Sequence, residues 1–314
     1  MITTVTANPA RDLTYQVARL QIGHSHWVDT VGARAGGKGM NCAGVLASMS
    51  RAHRALAVVG EADRQWWERD ATERKIQVMA LTAADPHRVR LSTAVVQADH
   101  EVTVLNEQGL APPSQTWRDL VEAALSEAGP GDVIALCGSL PPLAEDAVLA
   151  EVVHRGGEAG AHVLVDGSGT WLRTALKARP AVVTVNAHEA YEATGIEGPA
   201  AAGRRLCSLG AAAALVSDGP RGVVVAVDEH GPVLTARLSM VLTGNPTGAG
   251  DAMTAALCAA LDGHSLPSSL AGWTSATRTA VAWSGAAVLA PLAGTVDPRD
   301  VDTLLPAVKI EEIG

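Results

Sequence analysis

Phenylalanine is absent from this 314-residue chain and tyrosine occurs only twice. With 47% hydrophobic residues and 31 glycines, aliphatic and small side chains must fill the core, as they do in tightly packed parallel α/β sheets. Positive charge is also scarce: 24 Lys and Arg stand against 33 Asp and Glu, a formal net charge of −9. That balance argues against a general binder of nucleic acid or anionic membrane, which needs a basic surface to displace counterions. Any anion site must therefore be local. The four cysteines, Cys42, Cys137, Cys207 and Cys258, have no paired spacing, which fits reduced thiols of a cytoplasmic protein better than a disulfide framework or a zinc site. Long apolar runs are missing too. The opening MITTVTANPARD has no basic segment leading into one, so neither a signal nor a transit peptide is expected. The stretch from Ala280 to Leu292 is broken by Gly, Ser and Pro before it reaches membrane-spanning length.

What is present is a rhythm. Short β-branched or aliphatic runs at Ile2 to Ala7, Ala55 to Val59, Val133 to Cys137, Val163 to Val165, Val182 to Val185 and Ala214 to Ser217 read as buried strands. Gly39 to Ser50, Trp117 to Ala128, Glu145 to Ala159 and Ala200 to Ser208 read as helices between them. Such repetition predicts a parallel sheet covered on both faces, in one large α/β domain. Leu13 to Arg34 and Val89 to Leu105 alternate without an intervening helix, the second breaking at Ala98-Asp99-His100 as a hairpin would. They are expected to form a small separate sheet over a cleft, where strand C-termini open onto loops. Trp66 and Trp67 lie in an amphipathic helix, where packing is the expected role.

Chemistry concentrates in the glycine clusters. In NPTGAGDAMTAAL, Gly248, Ala249 and Gly250 precede Asp251 and an apolar helical pattern. Small residues at a helix entry expose backbone N–H groups to an anion at the positive end of the dipole. Asp251 is equally a good N-cap, so this segment alone leaves two readings open. A second cluster, AGGKGMN from Ala35 to Asn41, approaches the phosphate-loop pattern but has Gly39 where that loop needs Ser or Thr. No G-x-G-x-x-G follows a strand, and Ser139 and Ser168 lack a G-x-S-x-G frame. In TVNAHEAYEATG, Asn186 and Glu189 place two oxygen-bearing side chains on one side of a turn, either for a hard cation such as Mg²⁺ or as a helix cap.

Taken together, TANPARD, AGGKGMN, LCGSLPP, DGSG, VNAHE, VSDGPRG and NPTGAGDA occur in the order and approximate spacing of the ribokinase-like (PfkB) carbohydrate kinases. The resemblance covers nearly the whole chain and is greatest to the branch of 1-phosphofructokinases and tagatose-6-phosphate kinases. It implies a three-layer αβα fold with a mainly parallel central sheet, a single kinase domain over 1–314, and a small β-sheet lid at about 12–35 and 88–108. It also implies MgATP as donor and a sugar hydroxyl as acceptor. On this likeness Asp251 matches the catalytic base, and the amides of Gly248, Ala249 and Gly250 match the anion hole. Asp12 and Asn41 match positions that hold sugar hydroxyls, and Gly36 and Gly37 match the hinge of the lid. Lys38 and Arg90 would meet an acceptor phosphate, and Ser139 would add a hydroxyl. Ser217, Gly219 and Gly222 belong to the ATP loop, with helices from Ser268 to Leu289 walling the adenine, and Asn186 and Glu189 are associated with the metal.

The chain departs from the pattern in three places. His24 and His26 stand where a basic residue is common, Ser92 and Ala94 follow Arg90, and Thr184-Val185-Asn186 replaces K-P-N. The expected activity is phosphorylation of a hexose phosphate such as tagatose 6-phosphate, fructose 1-phosphate or fructose 6-phosphate. A kinase of an unphosphorylated sugar or nucleoside, or a non-catalytic sugar-phosphate-binding protein, remains the alternative. Neither nucleic acid nor membrane is an expected partner, and a homodimer through the lid is.

Overall fold

A computed structural model describes residues 1–28, 31–84, 86–99 and 101–314. Among these residues, outside the small sheet and as far as β11, strands and helices follow the alternation read from the sequence. The first part contains β1 (Ile2–Thr6), β2 (Ala10–Val17), β3 (Val31–Gly36), α1 (Lys38–Ser48), β4 (His53–Gly60), α2 (Glu61–Glu73), β5 (Val78–Ala83), β6 (Arg90–Gln97) and β7 (Val102–Asn106). There follow α3 (Ser114–Leu125), β8 (Val133–Cys137), α4 (Asp146–Glu158), β9 (His162–Asp166), α5 (Gly169–Lys177), β10 (Val182–Asn186), α6 (Ala187–Thr194), α7 (Pro199–Ser208) and β11 (Ala213–Ser217). The chain ends with β12 (Val223–Ala226), β13 (Val233–Leu238), α8 (Ala249–Leu261), α9 (Thr274–Leu289), α10 (Pro298–Leu304) and β14 (Val308–Ile313).

The large sheet has the order β14-β13-β12-β11-β10-β9-β8-β1-β4-β5. Every pairing from β11 to β5 is parallel, and β12, β13 and β14 close one edge antiparallel. Both faces are buried, so alternate residues of one strand enter different cores. In β8, Val133, Ala135 and Cys137 pack with α1, α8 and α9, while Ile134 and Leu136 pack with α3, α4 and α5. This is why the strands read as continuous apolar runs. The lack of Phe is met by close approach of backbones: Ala252, Ala255 and Ala256 on α8 and Ala280, Ala282 and Ala286 on α9 are all buried in one core. Cys42, Cys137 and Cys258 are free and buried, and Cys207 is free and half-buried.

The small sheet, β3-β2-β6-β7, is built from the two alternating segments, with β2 and β6 parallel and the outer pairs antiparallel. His100, of the expected hairpin turn, lies outside the described residues. Two features were not legible in the local pattern: β5, and the antiparallel strands after β11, which break the strand–helix alternation. Trp67 is fully buried between α2 and its neighbours. Among the described residues no helix is long and apolar enough to cross a membrane.

Candidate active site

Parallel register brings the polar ends of five strands into line. Thr6 of β1 pairs with Cys137 of β8, Cys137 with Asp166 of β9, Asp166 with Thr184 of β10, and Asn186 with Ser217 of β11. The turns beyond these ends, the first turns of α1 and α8, and the inner face of the small sheet enclose a cavity of about 890 Å³. Its wall includes Asp12, Gly37, Lys38, Asn41, Arg90, Ser139, Asn186, Glu189, Ser217, Gly219, Gly248, Ala249, Gly250 and Asp251. Residues as far apart in sequence as Asp12 and Asp251 thus share one space.

Asp251 does not cap its helix. α8 starts at Ala249 after Gly248, whose φ of 85° is left-handed, so Asp251 falls in the first turn. The carboxylate is nearly buried and takes a hydrogen bond from Asn41 Nδ2 at 2.9 Å. Burial, and then the nearby charge of Asp166, pushes its pKa up to about 7, against the opposing pull of Lys38 and Asn41. Of the three small-residue amides, the Ala249 N–H is turned to the Pro246 carbonyl at 3.2 Å, a correction to the expectation that all three face an anion. Gly250 is open: a Cβ there would meet no atom within 4 Å, so its backbone can be closely approached.

On the opposite wall, Asp12 of β2 lies over the start of α1, accepting from the Gly37 N–H at 3.4 Å. A Cβ on Gly36 would overlap the Asp12 carboxyl, so Gly36 shapes the site from beneath without lining the cavity. Burial raises the Asp12 pKa, although the Gly37 amide and then Arg90 lower it in part. Arg90 begins β6. Its Nε donates to the Asn8 carbonyl at 3.3 Å and its Nη1 to Asn106 Oδ1 at 3.0 Å, holding the guanidinium at the cavity wall. Ser139 Oγ is 3.5 Å from Asn8 Nδ2.

Lys38 differs from expectation. It is the first residue of α1, and its ammonium reaches across to Asp166 Oδ1 at 2.7 Å and Glu189 Oε1 at 3.4 Å instead of being offered to an acceptor phosphate. Burial alone would lower its pKa, but Asp166, then Glu189 and Asp251, outweigh it and hold the ammonium well above its ordinary range. Carboxylates buried this far need a counter-charge, and Lys38 supplies it. Asp166, unassigned from the sequence, is thereby central: Oδ1 holds Lys38 and Oδ2 accepts from Thr254 at 3.3 Å. Its signal was the DGSG motif, which begins at Asp166.

Asn186 and Glu189 form a reciprocal capping box on α6, each side chain accepting from the other's N–H at 2.9 Å. The helix-cap reading therefore holds, yet both residues still line the cavity. Among the described residues no cluster of three His, Cys, Asp or Glu forms a metal cage. Asp166, Glu189 and Asp251 nevertheless surround a single ammonium. Their surplus of negative charge and oxygen donors fits Mg²⁺, which commonly binds through one or two carboxylates, water and substrate phosphates.

Gly222 lies in an adjoining apolar recess of about 480 Å³ that shares Ser217, Gly219, Pro246, Ala249, Gly250 and Met253 with the main cavity. Its far wall is Val281, Ser284, Gly285 and Val288 of α9, inside the segment expected to wall an adenine. His24 and His26 line neither cavity. His26 Nε2 accepts from the Gln21 N–H at 3.0 Å and His24 Nδ1 lies 3.3 Å from the Ile22 carbonyl, so both serve a local turn.

The family description "pfkB family carbohydrate kinase" matches residues 6–298. A 1-phosphofructokinase of Xanthomonas campestris is 34% identical over 269 residues, covering 82% of this chain and 83% of that protein. A 1-phosphofructokinase of Haemophilus influenzae is 27% identical over 99% of this chain and 98% of its own length. Among solved structures, Escherichia coli phosphofructokinase-2 in complex with substrates and products superposes with a TM-score of 0.84 at 23% identity, covering 97% and 98% of the two chains. A possible 1-phosphofructokinase of Thermotoga maritima gives 0.84 at 18% identity over 100% and 99%. Both structural likenesses speak for the αβα fold with its small sheet.

Proposed function

The chain belongs to the pfkB family of carbohydrate kinases, and from that premise we propose that it transfers the γ-phosphoryl group of ATP to a hydroxyl of a hexose phosphate, with fructose 1-phosphate the first candidate acceptor. The observation that carries the reading is Asp251: a nearly buried carboxylate beside the open Gly250 backbone, in one cavity with Asp12 and Arg90. The acceptor sugar lies against Asp12, Asn41 and Ser139, with its own phosphate at Arg90. Asp251 takes the acceptor hydroxyl proton as the new O–P bond forms and the bond from the γ-phosphorus to the β,γ-bridging oxygen breaks, its electron pair leaving with ADP. The open Gly250 backbone at the start of α8 faces the charge on the transferring oxygens, as this chemistry requires, while the Ala249 N–H stays with the Pro246 carbonyl. Asn186, Glu189 and Asp166 would hold Mg²⁺, which would supply further charge compensation. The adenine occupies the apolar recess against α9, and the small sheet acts as a lid that excludes water.

Naming a phosphorylated acceptor rests on Arg90, whose guanidinium stands at the cavity wall with Nη2 uncommitted among the described hydrogen bonds. Arg90→Ala is expected to raise KM for the sugar phosphate by roughly 10² while leaving KM for ATP near its wild-type value, about the worth of a charge-assisted pair of hydrogen bonds. The measurement is an ATP-consumption screen over fructose 1-phosphate, tagatose 6-phosphate, fructose 6-phosphate and the free sugars. Unchanged KM in the variant, or preference for a free sugar, removes the phosphate assignment. Binding without turnover on every acceptor favours the non-catalytic reading.

A cytoplasmic location follows from these substrates. We also assign a homodimer joined through the small sheets, because Leu105 on the edge strand β7 is 63% exposed and Trp27, before β3, is 97% exposed. Sedimentation at the mass of one chain would remove that assignment.

A further inference from the structure

The small sheet joins the large one at four places: between β1 and β2, β3 and α1, β5 and β6, and β7 and α3. One face of α2 and its C-cap, presenting Asp63, Trp66, Asp70 and Arg74, grips the first three. At the β2 crossing, the Arg11 guanidinium stacks over the Trp66 ring with its carbon 4.1 Å from the ring centroid, and its Nη2 is 3.6 Å from Asp63 Oδ1. At the β6 crossing, the other Asp63 oxygen accepts from the Val89 N–H at 3.0 Å. At the β3 crossing, Asp70 Oδ2 accepts from the Ala35 N–H at 2.9 Å while Arg74 Nη1 donates to the Ala35 carbonyl at 2.9 Å. Ala35 lies one residue before Gly36-Gly37.

Arg74 does more than hold β3. Its Nη2 donates to the Gly294 carbonyl at 3.2 Å, and a Cβ on Gly294 would meet Asn41 Cα at 2.9 Å. The same loop backs the start of α8, because a Cβ on Gly248 would press on Ala293 Cβ at 2.9 Å. Arg34 of β3 adds a second tie, donating to the Ala293 carbonyl at 3.2 Å and Thr295 Oγ1 at 2.7 Å. One guanidinium thus contacts the exit from the small sheet and the loop behind Gly248. A planar fork can span both carbonyls, which a single ammonium cannot.

We propose that α2 is a clamp that couples the small sheet to the α8 anion loop, with Arg74, Asp70 and Asp63 as positioning residues that seat Asp12 and Arg90 over Asp251. The proposal rests on the kinase reading above and adds to it the element that sets the angle of the small sheet. None of the three touches substrate. They act through Ala35, Val89 and Gly294, so their loss loosens the acceptor side and the seal against water while leaving the apolar nucleotide recess intact.

The test compares wild type with Arg74→Lys, which keeps the charge but cannot bridge, and with Asp63→Ala, which frees Val89 at a more exposed site. Acceptor KM, the ratio of ADP formed to sugar bisphosphate formed, and ADP affinity by calorimetry are measured together, with thermal midpoints as the folding control. Arg74→Lys and Asp63→Ala are each expected to raise acceptor KM at least fivefold and the ADP-to-product ratio above one, with ADP affinity within twofold of wild type. If KM and that ratio stay at wild-type values while only the thermal midpoint falls, the residues are merely structural and the clamp is overturned. Absence of sugar-phosphate turnover by the wild type overturns instead the kinase reading on which the clamp depends.

Discussion

Replacing Asp251 with asparagine is expected to abolish phosphoryl transfer, with kcat falling by roughly 10³ or more, while making the folded protein more stable above neutral pH. The activity loss is the removal of the group that accepts the hydroxyl proton, a contribution on the order of 10²–10⁴ by itself. The gain has a separate cause. The ordinary Asp value of 3.8 describes the unfolded chain, and burial raises the folded value to about 7, so between these values the native state binds more protons than the unfolded state. Stability associated with this group is present below about 3.8 and is lost as pH rises through about 7. At pH 8 wild type carries the full penalty of a buried charge and the amide does not, while the amide oxygen can still accept from Asn41. A gain on the order of 1–3 kcal/mol follows at roughly 1.4 kcal/mol per pKa unit, discounted for relaxation of the site. Thermal unfolding at pH 5 and pH 8 reads it, the gain being larger at pH 8. Wild-type kcat/KM should correspondingly rise through about pH 7 as Asp251 ionises. An active Asp251→Asn protein would overturn the assignment of the base.

Lys38→Met is expected to have the second-largest effect, in the opposite sense for stability. Lys38 is the ammonium among Asp166, Glu189 and Asp251, and its side chain is 36% exposed toward the cavity. Removing one partner of a fully buried pair costs about 3–5 kcal/mol, and the open side reduces that to roughly 2 kcal/mol here. Asp166 keeps Thr254 and Glu189 keeps the Asn186 amide, so the fold should survive. kcat should fall by roughly 10², because a fixed positive charge beside the phosphate path is lost. The diagnostic is pH. Lys38 lowers the Asp251 pKa, so without it the rise in kcat/KM must move to higher pH. A profile that stays in place while kcat falls would separate Lys38 from the base and limit its role to the donor phosphates.

These two predictions also mark where the sequence was informative. Asp251 was found by its place after Gly-Ala-Gly at a helix entry, and the short runs of β8, β9, β10 and β11 were legible because strands buried on both faces must be continuously apolar. Lys38 shows the limit. AGGKGMN located it at the start of a helix, but the direction of a long, flexible side chain depends on which charges the fold brings within reach. Its partners are 128 and 151 residues away in the chain. Asp166 was visible only as the first letter of DGSG, and nothing local marked it as the counter-ion of Lys38. The same holds for α2. Asp63, Trp66, Asp70 and Arg74 recur at helical spacing on one face, yet what they grip is the Arg11 side chain of β2, the Ala35 backbone of β3, the Val89 N–H just before β6 and the Gly294 carbonyl.

Sequence by itself therefore determined the alternation of strands and helices, the small second sheet, and the glycine-led helix entries on α1 and α8. Each follows from rules acting over a few residues: side-chain period, backbone freedom and unpaired amides. Tertiary structure alone decided which charges face one another, which amide of the α8 entry turns inward, and how β2, β3 and β6 are tied to α2. The reason is physical. Burial and Coulomb interaction act through space, and their partners are chosen by the register of the sheet, which the spacing of residues along the chain does not encode.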